Sequence, residues 1–154
     1  MDIILKSAVN DTDTIRTLFR EYEAFLGVDL CFQSFEEELR TLPGKYAEPK
    51  GRLYLALCDG EAAGCIALRP NGETACEMKR LFVREKYRGR GIGELLAKQL
   101  ITDAKEIGYT LMRLDTLNTL TSAVTLYRKL GFVQTDPYYH NPYEGVVYLE
   151  LLLK

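Results

Sequence analysis

Three strand-like segments follow one another closely in the middle of the chain, and this feature constrains the fold most. Apolar, β-branched and aromatic residues dominate the runs 52–58, 62–69 and 74–84. Asp59-Gly60 separates the first two runs, and Pro70-Asn71-Gly72 precedes the third. An Asp-Gly pair between two such runs is typical of a tight hairpin. We therefore predict an antiparallel meander at the centre of a sheet.

Helical periodicity surrounds this meander. Apolar residues recur at helical spacing from Thr14 to a stop at Gly27, and again from 91 to 107. Two shorter helices are predicted at 34–42, capped by Ser34, and at 119–130. Further strands are predicted at 2–9, 109–116, 132–135 and 145–153. The order β-α-α-β-β-β-α-β-α-β-β predicts a mixed sheet in one α/β (α+β) domain spanning residues 1–154.

Composition and charge exclude several function classes. The net charge of −2 argues against a molecule built as a whole to bind polyanions. The four cysteines have no C-x-x-C spacing and His140 stands alone, so we expect no metal site. No apolar run reaches the ~18 residues of a membrane span, and Met1–Leu5 does not resemble a signal peptide. We expect a cytoplasmic protein with reduced thiols in its core.

A glycine-rich turn is the sharpest local feature. The segment 88–93, Arg-Gly-Arg-Gly-Ile-Gly, follows a predicted strand and opens a predicted helix. A helix N-terminus presents unpaired N–H groups and a partial positive charge, and glycines let a phosphate approach those donors closely. No Gly-Lys-Ser/Thr follows, and the spacing does not fit the dinucleotide fingerprint. The turn predicts a pyrophosphate site, with a plain glycine-rich loop and solvated arginines as the alternative.

Two motifs together resemble those of the GNAT N-acetyltransferase superfamily. Leu81-Phe82-Val83 and the turn 88–93 resemble its acetyl-CoA motif, in which Arg88, Gly91 and Gly93 fill the three defined positions. The segment 123–132, AVTLYRKLGF, resembles the second motif, A-x-x-x-Y-x-x-x-G-F. The resemblance covers nearly the whole chain. It implies a mostly antiparallel mixed sheet of about seven strands flanked by about four helices, and direct attack of an amine on acetyl-CoA.

The resemblance also implies which residues hold acetyl-CoA as a co-substrate, without a metal. The backbone of Leu81, Phe82 and Val83 would pair with the pantetheine arm. The pyrophosphate would lie on the turn, formed by Arg88, Gly89, Arg90, Gly91, Ile92 and Gly93. Many relatives have Asn where this chain has Leu120. Asn118, two residues earlier, is predicted to cap the following helix and to contact the cofactor.

Tyr127 and Glu77 are the predicted catalytic residues. Tyr127 matches the family's general acid, which protonates the leaving thiolate; the alternative is a core residue on an apolar helix face. Glu77 resembles the general base of the histone-acetyltransferase branch. A base is useful because a lysine amine is mostly protonated at neutral pH. The alternatives for Glu77 are a solvent-facing strand residue paired with Lys79 or Arg80, and substrate binding.

The acceptor side is predicted from two segments, roughly 22–35 and 136–144. The second contains an aromatic cluster with Tyr139 and His140, which either wall a substrate pocket or form a surface loop. Arg80 is a candidate for a substrate carboxylate. We expect a small-molecule or amino-acid-like primary amine as acceptor, with a protein or peptide N-acetyltransferase as the alternative.

Two other function classes stay open at this point. The stretch 79–90 has six basic residues and could contact nucleic acid, but no nucleic-acid fold signature accompanies it, so this class is disfavoured. A non-catalytic acyl-CoA-binding protein would keep the glycine-rich turn, although Tyr127 argues against it. The sequence leaves the oligomeric state open, with a homodimer through sheet edges as the alternative to a monomer.

Overall fold

The computed structural model describes residues 2–30 and 34–154 as a seven-stranded sheet with four α-helices. The helices are α1 (Thr12–Leu26), α2 (Phe35–Thr41), α3 (Ile92–Ile107) and α4 (Thr121–Lys129). The strands are β1 (Ile3–Ser7), β2 (Arg52–Cys58), β3 (Glu61–Pro70), β4 (Ala75–Val83), β5 (Leu111–Leu117), β6 (Val133–Gln134) and β7 (Val146–Leu152). These elements confirm the predicted order, with boundaries shifted by one or two residues.

The described sheet has the order β1-β2-β3-β4-β5-β7-β6. Only β4 and β5 run parallel, and every other pairing in the described sheet is antiparallel. The pairing of β4 with β5 is short: it starts at Ala75 with Leu111 and ends at Glu77 with Arg113. Beyond that point the two strands part, and the sheet opens into a gap.

Helices cover both faces of the sheet because each presents an apolar stripe at helical spacing. On one face, Leu96, Leu100 and Ala104 of α3 are fully buried in a cluster that includes Tyr127 and Phe132. On the other face, α1 and α2 bury a second cluster. Its members from these two helices are Ile15, Leu18, Phe19, Phe35 and Leu39. The gap between β4 and β5 therefore lies between two packed layers.

A β-bulge interrupts β4 at Arg80. The register with β3 passes from Cys65 opposite Phe82 to Ala67 opposite Lys79, which leaves an extra residue in β4. Arg80 has a φ of +62°, which is unusual for a residue with a side chain. The bulge places Lys79, Arg80 and Phe82 toward the face that α1 and α2 cover. No sequence pattern predicted this bulge.

Three cysteines lie in the core as predicted. Cys58, Cys65 and Cys76 are buried free thiols, whereas Cys31 lies outside the described residues. Burial raises the pKa of the Cys76 thiol to about 12, so it stays protonated. None of the described helices combines the length and apolar character that crossing a membrane requires. No three His, Cys, Asp or Glu side chains come together to hold a metal in the described part of the chain.

Candidate active site

The gap between β4 and β5 is a cleft of about 540 Å³. Residues 78–83 of β4 form one wall, and residues 115–117 of β5 with the start of α4 form the other. The glycine-rich turn and α3 close one end. Tyr22, Val28 and Leu30 from the α1 side and Asn141 and Tyr143 from the β6–β7 loop also line the cleft. The cleft thus joins the predicted cofactor turn to the predicted acceptor segments.

The turn before α3 has the conformation that anion binding requires. Gly89 and Gly91 both have a φ of +79°, which favours glycine. The first hydrogen bond of α3 runs from the Leu95 amide to the Gly91 carbonyl, so the preceding N–H groups of the first turn have no partner within the helix. Gly89, Gly91, Ile92 and Gly93 line the cleft. The positive end of the helix dipole therefore faces the cleft.

The two arginines of this turn behave differently. The Arg88 Nε donates to the Val83 carbonyl oxygen (2.9 Å), and its guanidinium lies 4.5 Å from the Phe25 ring centroid. Arg90 instead lies outside the cleft wall, with Nη1 3.6 Å from the Cys58 sulfur and its guanidinium over the Tyr87 ring. Arg88 thus lies at the mouth of the cleft, and Arg90 packs on the opposite side of the turn.

One edge of β4 faces the cleft without a strand partner. Phe82 and Val83 pair with Cys65 and Gly64 of β3 on one side, but β5 has already diverged on the other. Leu81, Phe82 and Val83 line the cleft on that side. A strand edge in this position can pair with an amide-containing chain. The fit supports the predicted role of these three residues toward a pantetheine arm.

Tyr127 lies on the cleft wall at the end of α4. Its side chain is 6% exposed, and burial raises the pKa of the phenol well above its usual value. The hydroxyl has no hydrogen-bond partner among the described residues. The Phe132 amide donates to the Tyr127 carbonyl (3.0 Å), and the two rings meet edge to face at 5.7 Å. The Gly-Phe part of the second motif therefore holds the tyrosine in place, and the phenol stays protonated.

Glu77 is fully buried, so the solvent-facing alternative is wrong. Its carboxylate accepts hydrogen bonds from Arg69 Nε (2.8 Å) and the Tyr138 hydroxyl (2.6 Å), and Lys79 Nζ lies 4.0 Å away. Burial alone would raise its pKa, but the charges of Lys79 and Arg69 outweigh burial and lower it. Glu77 is not among the residues that line the cleft. It lies beside the cleft, under Tyr138.

Arg80 lines the cleft but is held by a partner from α2. Its Nε and Nη2 donate to the two carboxylate oxygens of Glu38, at 3.0 and 2.9 Å. The guanidinium also lies 5.3 Å from the Phe35 ring centroid. Burial would raise the pKa of Glu38, but its hydrogen bonds to Arg80 and the Arg80 charge lower it overall. The pair joins α2 to the bulge of β4.

The aromatic loop after β6 packs over β5. The rings of Tyr138 and Tyr139 contact each other at a tilt, and both meet the Tyr148 ring of β7 edge to face, with centroids 5.4 to 5.8 Å apart. The Tyr139 hydroxyl donates to Asp115 Oδ2 (2.7 Å). The Tyr143 hydroxyl donates to the Asp29 carbonyl (2.9 Å) and accepts from the Asp29 amide (3.0 Å). This loop is therefore joined to the segment after α1, and Tyr143 lines the cleft.

Like Glu77 and Arg90, the predicted residues His140, Asn118 and Tyr139 are not part of the cleft wall. His140 is exposed. Asn118 is also exposed, and its backbone N–H donates to the Gly145 carbonyl oxygen (2.8 Å). The prediction that Asn118 caps α4 is wrong, because Leu120 occupies the N-cap position and makes no side-chain cap. Ser34 stands before α2 as predicted, but its side chain also makes no cap hydrogen bond.

The basic stretch 79–90 does not form one exposed patch. Lys79 and Arg80 are buried. Arg84 pairs with Glu21 at 2.7 Å, and Lys86 lies 3.8 Å from Glu61. Because most of these charges have acidic partners, the arrangement does not favour nucleic-acid binding.

Two residues of the cleft wall, Asp115 and Thr116, were not predicted. Tyr22 and Tyr143 lie in the predicted acceptor segments and line the cleft as well. Lys79, which with Arg80 was a candidate for a substrate carboxylate, also lines it, and burial lowers its pKa to about 8. Asp115 lies in a predicted strand, but its neighbours in sequence gave no sign that it would face a cleft. Only the divergence of β4 and β5 exposes it there.

Comparisons with known proteins agree with this geometry. Residues 13–132 match the acetyltransferase (GNAT) family. An uncharacterized N-acetyltransferase of Schizosaccharomyces pombe is 46% identical, over 92% of this chain and 88% of that protein. A GNAT acetyltransferase of Elizabethkingia anophelis, solved with acetyl-CoA bound, is 32% identical with a TM-score of 0.58, over 68% of this chain and 77% of that one.

A third protein is alike in fold. The N-acetyltransferase PaiA of Thermoplasma acidophilum, solved with coenzyme A, has a TM-score of 0.76 at 20% identity, over 99% of both chains. The family match covers most of the chain, including both sequence motifs. The chain therefore belongs to the acetyltransferase (GNAT) family and is an acetyl-CoA-dependent N-acetyltransferase.

Proposed function

We propose that the chain transfers the acetyl group of acetyl-CoA to the primary amine of a small, amino-acid-like molecule, by direct attack in a ternary complex. The observation that carries this proposal is the bridge between Tyr143 and the Asp29 backbone. It joins two loops at the acceptor end of the cleft, where Val28 and Leu30 also lie. We infer that this bridge narrows the acceptor side of the cleft, which would favour a small amine over a protein tail.

The donor side is proposed to work through main-chain groups. The edge of β4 at 81–83 would pair with the pantetheine arm, and the N–H groups of the Gly89–Gly93 turn would hold the pyrophosphate. Arg88 would leave the Val83 carbonyl and contact a phosphate oxygen. Arg90 and Asn118 stay predictions as cofactor contacts, since their described contacts lie elsewhere.

Tyr127 is proposed to donate the proton that the leaving sulfur takes. Its position on the cleft wall and its raised pKa support this role, because a protonated phenol is needed at neutral pH. Glu77 stays a prediction as proton acceptor. Its hydrogen bonds to Arg69 and Tyr138 would have to rearrange before it could reach an amine.

Arg80, Tyr139 and His140 stay predictions as acceptor contacts. Arg80 lies at the cleft, so its charge would act on the acceptor even while Glu38 holds the guanidinium. Tyr139 would act through its hydrogen bond to Asp115. We also propose a cytoplasmic location, which the free thiols of Cys58, Cys65 and Cys76 support. A homodimer stays a prediction.

A panel of acceptors tests the proposed substrate class. We expect free amino acids and small primary amines to release thiol from acetyl-CoA with kcat/KM at least about tenfold above that of short peptides, because the closed end excludes a chain. Tyr143→Phe removes the bridge and should narrow this ratio. Tyr109→Phe is the control, because it loses a buried hydroxyl outside the cleft. This variant should leave the ratio of small-amine to peptide kcat/KM unchanged. Peptides that outperform every small amine would contradict the proposal.

A further inference from the structure

We propose that Asp115 binds the ammonium group of the acceptor and takes its proton. This inference rests on the proposed function and names the residue that handles the acceptor amine. Asp115 is the one carboxylate among the described residues that line the cleft. It lies on β5 two residues beyond Arg113, where the pairing with β4 ends.

Asp115 lacks the cationic partner that the neighbouring carboxylates have. Glu77 is paired with Arg69, and Glu38 is paired with Arg80. Asp115 accepts a hydrogen bond from the Tyr139 hydroxyl at Oδ2, and it forms no salt bridge with a described basic side chain. The charge of Lys79 acts on Asp115 without forming a salt bridge. A partly buried carboxylate that has no salt bridge is a favourable place for a ligand ammonium, because a charge pair at short range is then completed.

The surroundings of Asp115 suit an amine that reacts near Tyr127. Asp115 and Tyr127 both line the cleft, and the Asp115 charge contributes to the raised pKa of the Tyr127 phenol. The titratable groups coupled to Asp115 are Lys79 of β4, Tyr22 of α1, Tyr127 of α4, Tyr138 and Tyr139 of the loop, and Tyr148 of β7. Asp115 thus lines the same cleft as the predicted proton donor, and its charge acts on that phenol.

The proton balance of the reaction is simple. The ammonium gives one proton to the Asp115 carboxylate, which later releases it to solvent. The neutral amine nitrogen forms a bond to the acetyl carbon, and the bond from that carbon to sulfur breaks. Tyr127 gives its O–H proton to the sulfur, and the second proton lost by nitrogen restores Tyr127 through water. The sum is one amide, one thiol and one proton released.

Asp115→Asn tests this assignment with the best amine of the panel. We expect KM for the amine to rise at least about tenfold and kcat/KM to fall about 100-fold, while KM for acetyl-CoA stays within twofold. Asp103→Asn is the matched control. Asp103 is also an aspartate that accepts a tyrosine hydroxyl bond, from Tyr54, but it lies on α3 outside the cleft.

The pH dependence separates amine binding from a structural role. The ratio of wild-type to Asp115→Asn kcat/KM should shrink as the pH rises toward the pKa of the acceptor, since more of the amine is then neutral. The pH at which the kcat/KM values of wild type and Asp115→Asn converge should be higher for an amine of higher pKa. A ratio that does not change with pH, or with the amine, would overturn the proposal.

Two further outcomes decide the question. If Asp115→Asn has the same kcat/KM for the amine as an active wild type, while Glu77→Gln raises the KM for the amine, the proton acceptor is Glu77 and the inference fails. If no amine is acetylated by wild type, the proposed function itself fails. If Asp115→Asn does not fold, wild type alone tests the proposal. A second amine should inhibit acetylation of the best amine of the panel at least about tenfold more strongly than the analogue with a hydroxyl in place of the amine. Equal inhibition by the two compounds would overturn the proposal.

Discussion

Replacing Tyr127 with Phe should lower kcat by about 100-fold while leaving the affinity for acetyl-CoA within twofold. A positioned general acid contributes roughly 10²–10⁴ to a rate, and 100-fold corresponds to about 2.7 kcal/mol of barrier. Burial keeps the phenol protonated, so the proton is available at neutral pH. Phe retains the ring that packs against Phe132, so the cleft should keep its shape.

The comparison needs kcat and the KM for acetyl-CoA from pH 6 to 9. Tyr109→Phe is the control, because its hydroxyl is bonded to the Lys50 carbonyl (2.8 Å) and lies outside the cleft. That variant should lose about 1 kcal/mol of stability and keep its kcat. If Tyr127→Phe keeps kcat within twofold of wild type at every pH, Tyr127 is not the proton donor.

Replacing Arg80 with Met should destabilise the protein by about 3–5 kcal/mol, because the Glu38 carboxylate is then buried without its cation. Both side chains are largely buried, at 3% and 12% exposure, and two hydrogen bonds join them. The pair also supports the positive φ of Arg80 at the bulge. The double variant Arg80→Met with Glu38→Met should regain most of the loss, since no buried charge remains.

The pH dependence of this effect has a definite sign. The pKa of Glu38 is lowered in the folded protein, so the pair stabilises above the usual value of 4.5 and the benefit is lost as the pH falls through the folded value. The difference between wild type and Arg80→Met should therefore be largest near pH 7 and smaller at pH 4. Arg84→Met is the control, because its pair with Glu21 is about one third exposed and should contribute about 1 kcal/mol or less. Urea denaturation that shows equal losses for Arg80→Met and Arg84→Met would contradict the account.

Local patterns in the sequence predicted most of the fold. The apolar spacing of α1 and α3 and the Asp59-Gly60 hairpin depend on residues close together in the chain, and the structure confirms them. The turn before α3 also lies where the sequence predicted it, and Gly89 and Gly91 have a positive φ there.

Contacts between distant segments could not be predicted in the same way. Arg80 and its partner Glu38 are 42 positions apart in the sequence, and Tyr138 and its partner Glu77 are 61 positions apart. The spacing of residue types along the chain does not predict such partners. Arg88 and Arg90 look equivalent in the motif, yet Arg90 packs beside Cys58, which lies on another strand. Asp115 gained its position only because β4 and β5 part after Glu77.

The most direct test of the account is the change in Tm on adding acetyl-CoA to wild type and to Gly91→Val. At a ligand concentration about 100 times Kd, linkage predicts about 2.7 kcal/mol of stabilisation, or a Tm rise of about 5–10 °C. Gly91→Val should abolish most of this rise, since valine does not tolerate a φ of +79° at the start of α3. Gly72→Val is the control, because Gly72 also has a positive φ, +100°, but lies in a turn away from the cleft, so the variant should keep the rise. A wild-type Tm that acetyl-CoA does not change, or a full rise in Gly91→Val, would contradict acetyl-CoA binding between β4 and β5.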